Sequence, residues 1–133
     1  MSTFHLKIST PDGQIYDGEV ERVRVRMIDG DVCLLANHMD YVSAVGAGEA
    51  ALTLADGQVR TAACIGGMLA MINSEASLIA TTFEWSDEID LERAQRAKAA
   101  AEARIAAAKN DKRELMLASA KLQRALVRIN VKH

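Results

Sequence analysis

Five charged side chains near the C-terminus stand at spacings that could bind an anion. Asp90 and Arg93 are i,i+3 neighbours, while Lys121, Arg124 and Arg128 follow one another at steps of three and four, the spacing of residues on one helix face. If the two segments form antiparallel helices, Arg93 near the start of one meets Arg124 and Arg128 near the end of the other. That concentrates positive charge which a triphosphate neutralises through charge-assisted hydrogen bonds. The same arginines equally suit a solvated face or pairing with acidic groups of a partner protein, and the spacing alone leaves both readings open.

Other chemistry finds less support. His5, His38 and His133 are far apart and lack metal-ligand spacing, so they read as surface or packing histidines. His38 and Asp40 lie close together, yet no partnered nucleophile accompanies them. Gly66-Gly67 lacks the strand, loop and helix context of a phosphate loop. Arg22, Arg24 and Arg26 alternate with apolar residues as the wet face of a strand does. No catalytic residue and no metal site is expected.

The elements that must position these groups follow from periodicity. Phe4, Leu6 and Ile8 alternate with His5, Lys7 and Ser9, and Val23, Val25 and Met27 alternate with Arg22, Arg24 and Arg26. Turn signals at Pro11-Asp12-Gly13, Asp29-Gly30-Asp31, Gly46-Ala47-Gly48, Asp56-Gly57 and Asn73-Ser74 separate further short apolar runs. Asp56-Gly57 suits a type I′ hairpin turn, which requires positive φ. The pattern predicts an antiparallel β-sandwich or flattened barrel of about ten strands over residues 1–86. The period then changes. Asp87 is placed to cap a helix carrying Leu91, Ala94, Ala97, Ala101, Ile105 and Ala108, and Asp111 with Glu114 forms a capping box for a second helix carrying Leu115, Ala118, Leu122, Ala125 and Ile129. Residues 87–133 are thus predicted to form an antiparallel two-helix hairpin, giving an α+β protein of two domains.

Composition divides the chain at the same place. All eight glycines, the single proline and all five aromatic residues lie in residues 1–86, whereas residues 87–133 carry 12 alanines. The first part holds 5 basic and 11 acidic side chains, the second 11 basic and 7 acidic, so the halves suit different partners. The longest uncharged stretch, between Arg60 and Glu75, is too short to cross a bilayer and is broken by Gly66-Gly67, so no direct membrane insertion is expected. The opening Met1–Lys7 has neither a basic leader nor an amphipathic presequence, and the protein is expected to stay where it is made. Cys33 and Cys64 sit in apolar runs and read as buried, reduced thiols. A hairpin lined mostly by alanine gains little from its own seam, so it is expected to need a docking surface and to exchange one surface for another.

The residues resemble a known family. Over nearly its whole length the chain resembles the epsilon subunit of the rotary F-type proton-translocating ATP synthase, bacterial type. The resemblance rests on His5-Leu6, on Ile15-Tyr16-Asp17-Gly18-Glu19-Val20, and on Gly30-Asp31-Val32-Cys33-Leu34-Leu35-Ala36-Asn37-His38 beside the family's G-E-L-G-I-L-P-N-H. It rests also on Gly66-Gly67-Met68-Leu69 beside G-G-x-L, and on Ile89-Asp90-Leu91-Glu92-Arg93-Ala94 beside I-D-x-x-R-A. It implies a non-catalytic rotor subunit on the cytoplasmic face of the plasma membrane, coupling ring rotation to the catalytic head. The implied partners are the gamma subunit, the ring of membrane c subunits and, when the hairpin extends, the alpha/beta head, where it inhibits ATP hydrolysis.

No cofactor is implied as a requirement, but ATP is implied as a regulatory ligand. By similarity Glu84, Asp90, Arg93, Arg124 and Arg128 match nucleotide-binding positions, Asp31 lies in the loop facing the ring, and His38 lies near the gamma contact. The chain departs from the pattern at Cys33, Ala36 and Met39-Asp40, and Ala100 stands where some ATP-binding members carry a basic residue. Two other classes are weighed against the rotor subunit. A free-standing nucleotide-binding or protein-interaction module would bind ATP without affecting a synthase. A nucleic-acid partner is disfavoured because the basic hairpin has no aromatic residue to stack bases.

Overall fold

A computed structural model describes residues 2–132. His133 lies outside the described residues. The chain divides into two compact units, Met1–Trp85 and Ser86–His133.

The first unit contains strands β1 (Phe4–Thr10), β2 (Gly13–Met27), β3 (Gly30–Leu35), β4 (Tyr41–Ala44), β5 (Ala47–Leu54), β6 (Val59–Ile72) and β7 (Glu75–Trp85). The order β1-β7-β6-β5-β2, together with β1 pairing β2, closes a ring, with β3 flanking β2 and β4 flanking β6. Two long strands make the corners. Val20 of β2 lies opposite Phe4 of β1 and also opposite Leu54 of β5, so β2 passes from one sheet face to the other. In β6, Val59–Ile65 pairs with β5, and Met68–Met71 pairs with β4. The alternating residues Phe4, Leu6, Ile8, Val23, Val25 and Met27 are buried, as their period requires, around Leu34, Leu52, Leu69 and Leu78. Burying each large side chain of this set contributes about 1.5–3 kcal/mol.

The sandwich expectation holds in architecture and differs in detail. The expected set of about ten strands becomes seven, chiefly because Ile15-Tyr16 and Val23–Met27 lie in one continuous strand, and Gly66-Gly67 bends β6 without ending it. The φ angles of Gly66 and Gly67 are +72° and +111°, and a Cβ on Gly67 would strike the carbonyl group of Ile79 across the ladder. The set is not wholly antiparallel, since β1 runs parallel to β7 from His5 opposite Glu75 to Ser9 opposite Ile79.

The expected type I′ turn at Asp56-Gly57 has another form. Gly57 donates its N–H to the Leu54 carbonyl, Leu54 N–H bonds Gln58 O at 2.8 Å, and only Gly57 of that loop has positive φ, a type I turn closed by a glycine bulge. The I′ geometry belongs to Asn73-Ser74, where both residues have positive φ between the paired Ile72 and Glu75. Cys64 is buried, and burial pushes its thiol up to about 12. Cys33 is exposed, contrary to the reading from its apolar run, because the alternation of β3 turns Leu34 inward and Cys33 outward.

The second unit opens with a single 3₁₀ turn, Ser86–Glu88, followed by α1 (Leu91–Ala108) and α2 (Lys112–Lys132). Asp90 caps α1, its Oδ1 accepting the Arg93 N–H at 3.1 Å, while Asp87, expected as the cap, is taken up in the 3₁₀ turn. Asp111 Oδ1 accepts the Glu114 N–H at 3.1 Å and caps α2, but the Glu114 carboxylate turns to Arg104 Nε of α1 at 2.8 Å instead of back to its own cap. Ala94 and Ala101 on α1, and Ala118 and Ala125 on α2, are buried along the seam between antiparallel helices. Lys132 Nζ donates to the Ser86 carbonyl at 3.0 Å and ties the last turn of α2 to the start of the unit. No described helix is long and apolar enough to cross a membrane.

Candidate functional site

The hairpin carries a cationic groove. It is lined by Ala97, Ala100, Ala101 and Arg104 of α1 and by Lys121, Arg124 and Arg128 of α2, with a volume of about 320 Å³. The steps of three and four seen in the sequence produce this row, because they return each side chain to one face of α2. Alanine leaves the space open. Arg104 and Glu114 are half-buried and joined through Nε and Nη2 of the guanidinium. Lys121 and Arg124 make no hydrogen bond or ion pair among the described residues.

Of the positions expected to touch nucleotide, Arg124 and Arg128 come together in this groove. Asp90 and Arg93 stand at the first turn of α1, outside the groove lining, and the Asp90 carboxylate is engaged as a helix cap. Glu84 belongs to β7 in the other unit, opposite Ala63 of β6. Sequence reasoning missed Arg104. The available signal was its position four residues beyond Ala100, on the same face of α1.

The sandwich presents three further features. Asp31 is the second residue of β3, directly opposite Arg26, and makes ion pairs with Arg24 at 3.8 Å and Arg26 at 3.7 Å; Arg24 also binds Glu49 at 2.6 Å. The three arginines of β2 thus lie on a wet face, as expected, and two of them are netted with carboxylates. His38 follows Asn37, which has a φ of +66°. A carbonyl only accepts, so the 2.7 Å contact to Met39 O assigns the His38 proton to Nδ1, and the ring packs edge-on against Tyr41. His5 is flanked across the β1–β2 ladder by Asp17 and Glu19.

The sandwich also carries an apolar outer face that sequence reasoning did not identify. On β6 Met68 and Ile72 point outward, with Ala44 and Ile79 opposite Met68 on the neighbouring strands, and with Val42 opposite Ala70. Val42 is 58% exposed, Ile79 56%, Ile72 51% and Met68 44%, and they form one contiguous patch across three strands. The signal was the run Met68-Leu69-Ala70-Met71-Ile72, apolar at both parities where a half-exposed strand alternates.

Comparison with known proteins decides what these features belong to. The β-sandwich domain of the ATP synthase delta/epsilon chain matches residues 3–86, and the long α-helix domain of the same chain matches residues 87–132. The chain belongs to the ATP synthase delta/epsilon family. It is similar to the ATP synthase epsilon chain of Alkaliphilus oremlandii, 39% identical over 110 residues, covering 83% of this chain and 81% of that one. To the ATP synthase epsilon chain of Bacillus velezensis it is 37% identical over 131 residues, covering 98% of both. A chain in the cryo-EM structure of the Euglena gracilis mitochondrial ATP synthase, OSCP/F1/c-ring, shares the fold with a TM-score of 0.88 and 18% identity, covering 100% of this chain and 83% of that chain. As a member of the delta/epsilon family, the protein is a non-catalytic epsilon-type subunit of the ATP synthase.

Proposed function

We propose that this epsilon-type subunit is the seat through which the gamma subunit and the ring of membrane c subunits turn together, and that its hairpin regulates ATP hydrolysis. The observation that carries the reading is the contiguous outer face of Val42, Met68, Ile72 and Ile79, too apolar to be left in water. The gamma subunit covers this face and meets His38, and Asp31 meets the c ring. The complex sits peripherally on the cytoplasmic face of the bacterial plasma membrane. The domain division at residues 86 and 87 belongs to the same proposal: the sandwich stays seated while the hairpin of residues 87–133 moves.

The hairpin supports a regulatory role by its energetics. Four of its buried positions are alanines, each contributing far less than a leucine, beside the buried Val127 and Val131 of α2, and most of a helix's stability in a protein comes from such packing. Extension toward the alpha/beta head therefore gives up little. ATP bound to the hairpin through Asp90, Arg93, Arg124 and Arg128 favours its folded form, and it is a regulatory ligand, not a required cofactor.

The test is co-purification with gamma and the rate of ATP hydrolysis by the reassembled complex. Ile79→Lys, an exposed change, is expected to abolish gamma association while the sandwich stays folded. Removal of residues 87–133 is expected to preserve assembly and to raise hydrolysis. Retention of gamma by both Ile79→Lys and Met68→Glu would refute the seating proposal. Unchanged hydrolysis after hairpin removal would refute the regulatory one.

A further inference from the structure

We infer that Asp40 is a positioning residue for His38, acting through a hydrogen bond that ties the β3–β4 connection to the turn between β6 and β7. The inference deepens the seating proposal above and rests on it for the partner that meets His38, though not for the geometry.

The connection, residues 36–40, is fastened at two points. At its start His38 donates its N–H to the Leu35 carbonyl at 3.1 Å; Asn37 has a φ of +66° and Ala36 does not share it, which makes a type II turn. At its end Asp40 Oδ1 accepts the Asn73 N–H at 3.0 Å, from a residue 33 positions along the chain. Asn73 opens the type I′ turn, whose closing pair is Ile72 and Glu75, so its own N–H lies outside that pairing. The β4–β6 ladder ends at Tyr41 opposite Met71. The Asp40 carboxylate therefore stands just past the end of that ladder and supplies an acceptor where strand pairing has stopped.

Between the two fastenings only Met39 is left, and at 78% exposure burial does little to hold it. His38 Nδ1 donates to the Met39 carbonyl at 2.7 Å, and its ring meets Tyr41 edge-on with centroids 6.2 Å apart. The imidazole thus takes its direction from a peptide group that adjoins the Asp40 tether. Releasing Asn73 frees the Met39 carbonyl, and the ring with it. A partner that must find the imidazole in one place binds only the fraction of molecules in which the loop is set, so its apparent affinity falls with that fraction.

The experiment has two arms, both on the full-length chain. In the first, the carbon-bound imidazole protons are followed by nuclear magnetic resonance, the His38 signals being identified by their loss in His38→Gln. In the second, the chain is titrated into ATP synthase from which it has been removed, and the concentration giving half-maximal rebinding is read. Asp40→Ala is expected to move the His38 signals from their Tyr41-shifted position and to raise that concentration about tenfold, the effect of losing one charge-assisted hydrogen bond. Asp40→Asn keeps an oxygen for the Asn73 N–H and is expected to stay within about threefold. Adding Ala36→Pro to Asp40→Ala is expected to recover part of both readings, because proline pre-sets the second position of a type II turn and narrows the released loop. Near-ultraviolet circular dichroism checks that each sandwich stays folded. His38 signals unmoved by Asp40→Ala, or an Asp40→Asn chain that behaves as Asp40→Ala does, would overturn the tether. Moved signals with unchanged rebinding would overturn the positioning role. Ile79→Lys in the same titration then separates the two proposals: rebinding lost there leaves the seating proposal standing, and rebinding retained there removes both.

Discussion

Replacing Gly67 by alanine is expected to cost most of the stability of the sandwich, and a second glycine separates the causes. Gly67 and Gly57 both have positive φ, +111° and +89°. A Cβ on Gly57 meets nothing within 4 Å, whereas on Gly67 it would lie 2.8 Å from the Ile79 carbonyl carbon, with the oxygen nearer still. Gly57→Ala therefore measures conformational penalty alone, about 1–2 kcal/mol. Gly67→Ala adds a backbone collision that only separation of β6 from β7 relieves. Losing two or three ladder hydrogen bonds adds about 2–3 kcal/mol to the same penalty. For a domain of this size each kcal/mol lowers Tm by roughly 4–8 °C, so Gly57→Ala is expected to melt about 5–15 °C lower, and Gly67→Ala at least about 15 °C lower or not to fold. The assay is thermal unfolding followed in the near ultraviolet, where Trp85, stacked edge-on against Phe83 and covered by Arg60, reports on the sandwich. Equal losses for the two variants would refute the collision argument and leave the glycine pair with no steric reason.

Three further outcomes follow from the caps and the two thiols. Asp90→Ala is expected to lower hairpin stability by about 1 kcal/mol, read as ellipticity at 222 nm during urea titration, while Asp87→Ala stays within about 0.5 kcal/mol. The reverse order would return the cap to Asp87. Burial raises the Cys64 thiol from its ordinary 9.0 to about 12, so the folded chain holds this proton more tightly than the unfolded chain does. The resulting stabilisation is fully present below pH 9.0 and is lost as pH rises toward about 12, with a slope of up to about 1.4 kcal/mol per pH unit. Cys64→Ala is expected to flatten that part of the stability profile. In the native protein a thiol reagent is expected to label Cys33 first and to reach Cys64 only on unfolding.

Periodicity made the architecture legible wherever one parity was apolar and the other polar. Phe4-His5-Leu6-Lys7-Ile8 and Arg22–Met27 lie as their alternation requires, and Ala94, Ala101, Ala118 and Ala125 are buried at seven-residue spacing. What local signals missed depended on distant partners. Gly66-Gly67 reads as a break, yet β7 on one side holds the strand together through the bend while its other neighbour changes from β5 to β4. The parallel pairing of β1 with β7 joins segments that no turn connects. Cys33 was misread because a short apolar run hides which parity faces inward. At the hairpin, the row of Lys121, Arg124 and Arg128 was visible in the spacing. The contribution of Arg104 required knowing which turn of α1 lies against it, and Glu114 was read as a capping partner although its carboxylate bonds across the seam.

The lengthwise pairing of the first strand with the last has a consequence for synthesis. His5 waits for Glu75, so an emerging chain keeps one side of Phe4–Thr10 open until nearly the entire sandwich has left the ribosome. Contacts between such remote positions form slowly, since the loop between them must close before any bond rewards it. The last strand ends at Trp85, ahead of the first residue of either helix, and a stop codon just beyond that point leaves the ring its full set of strands.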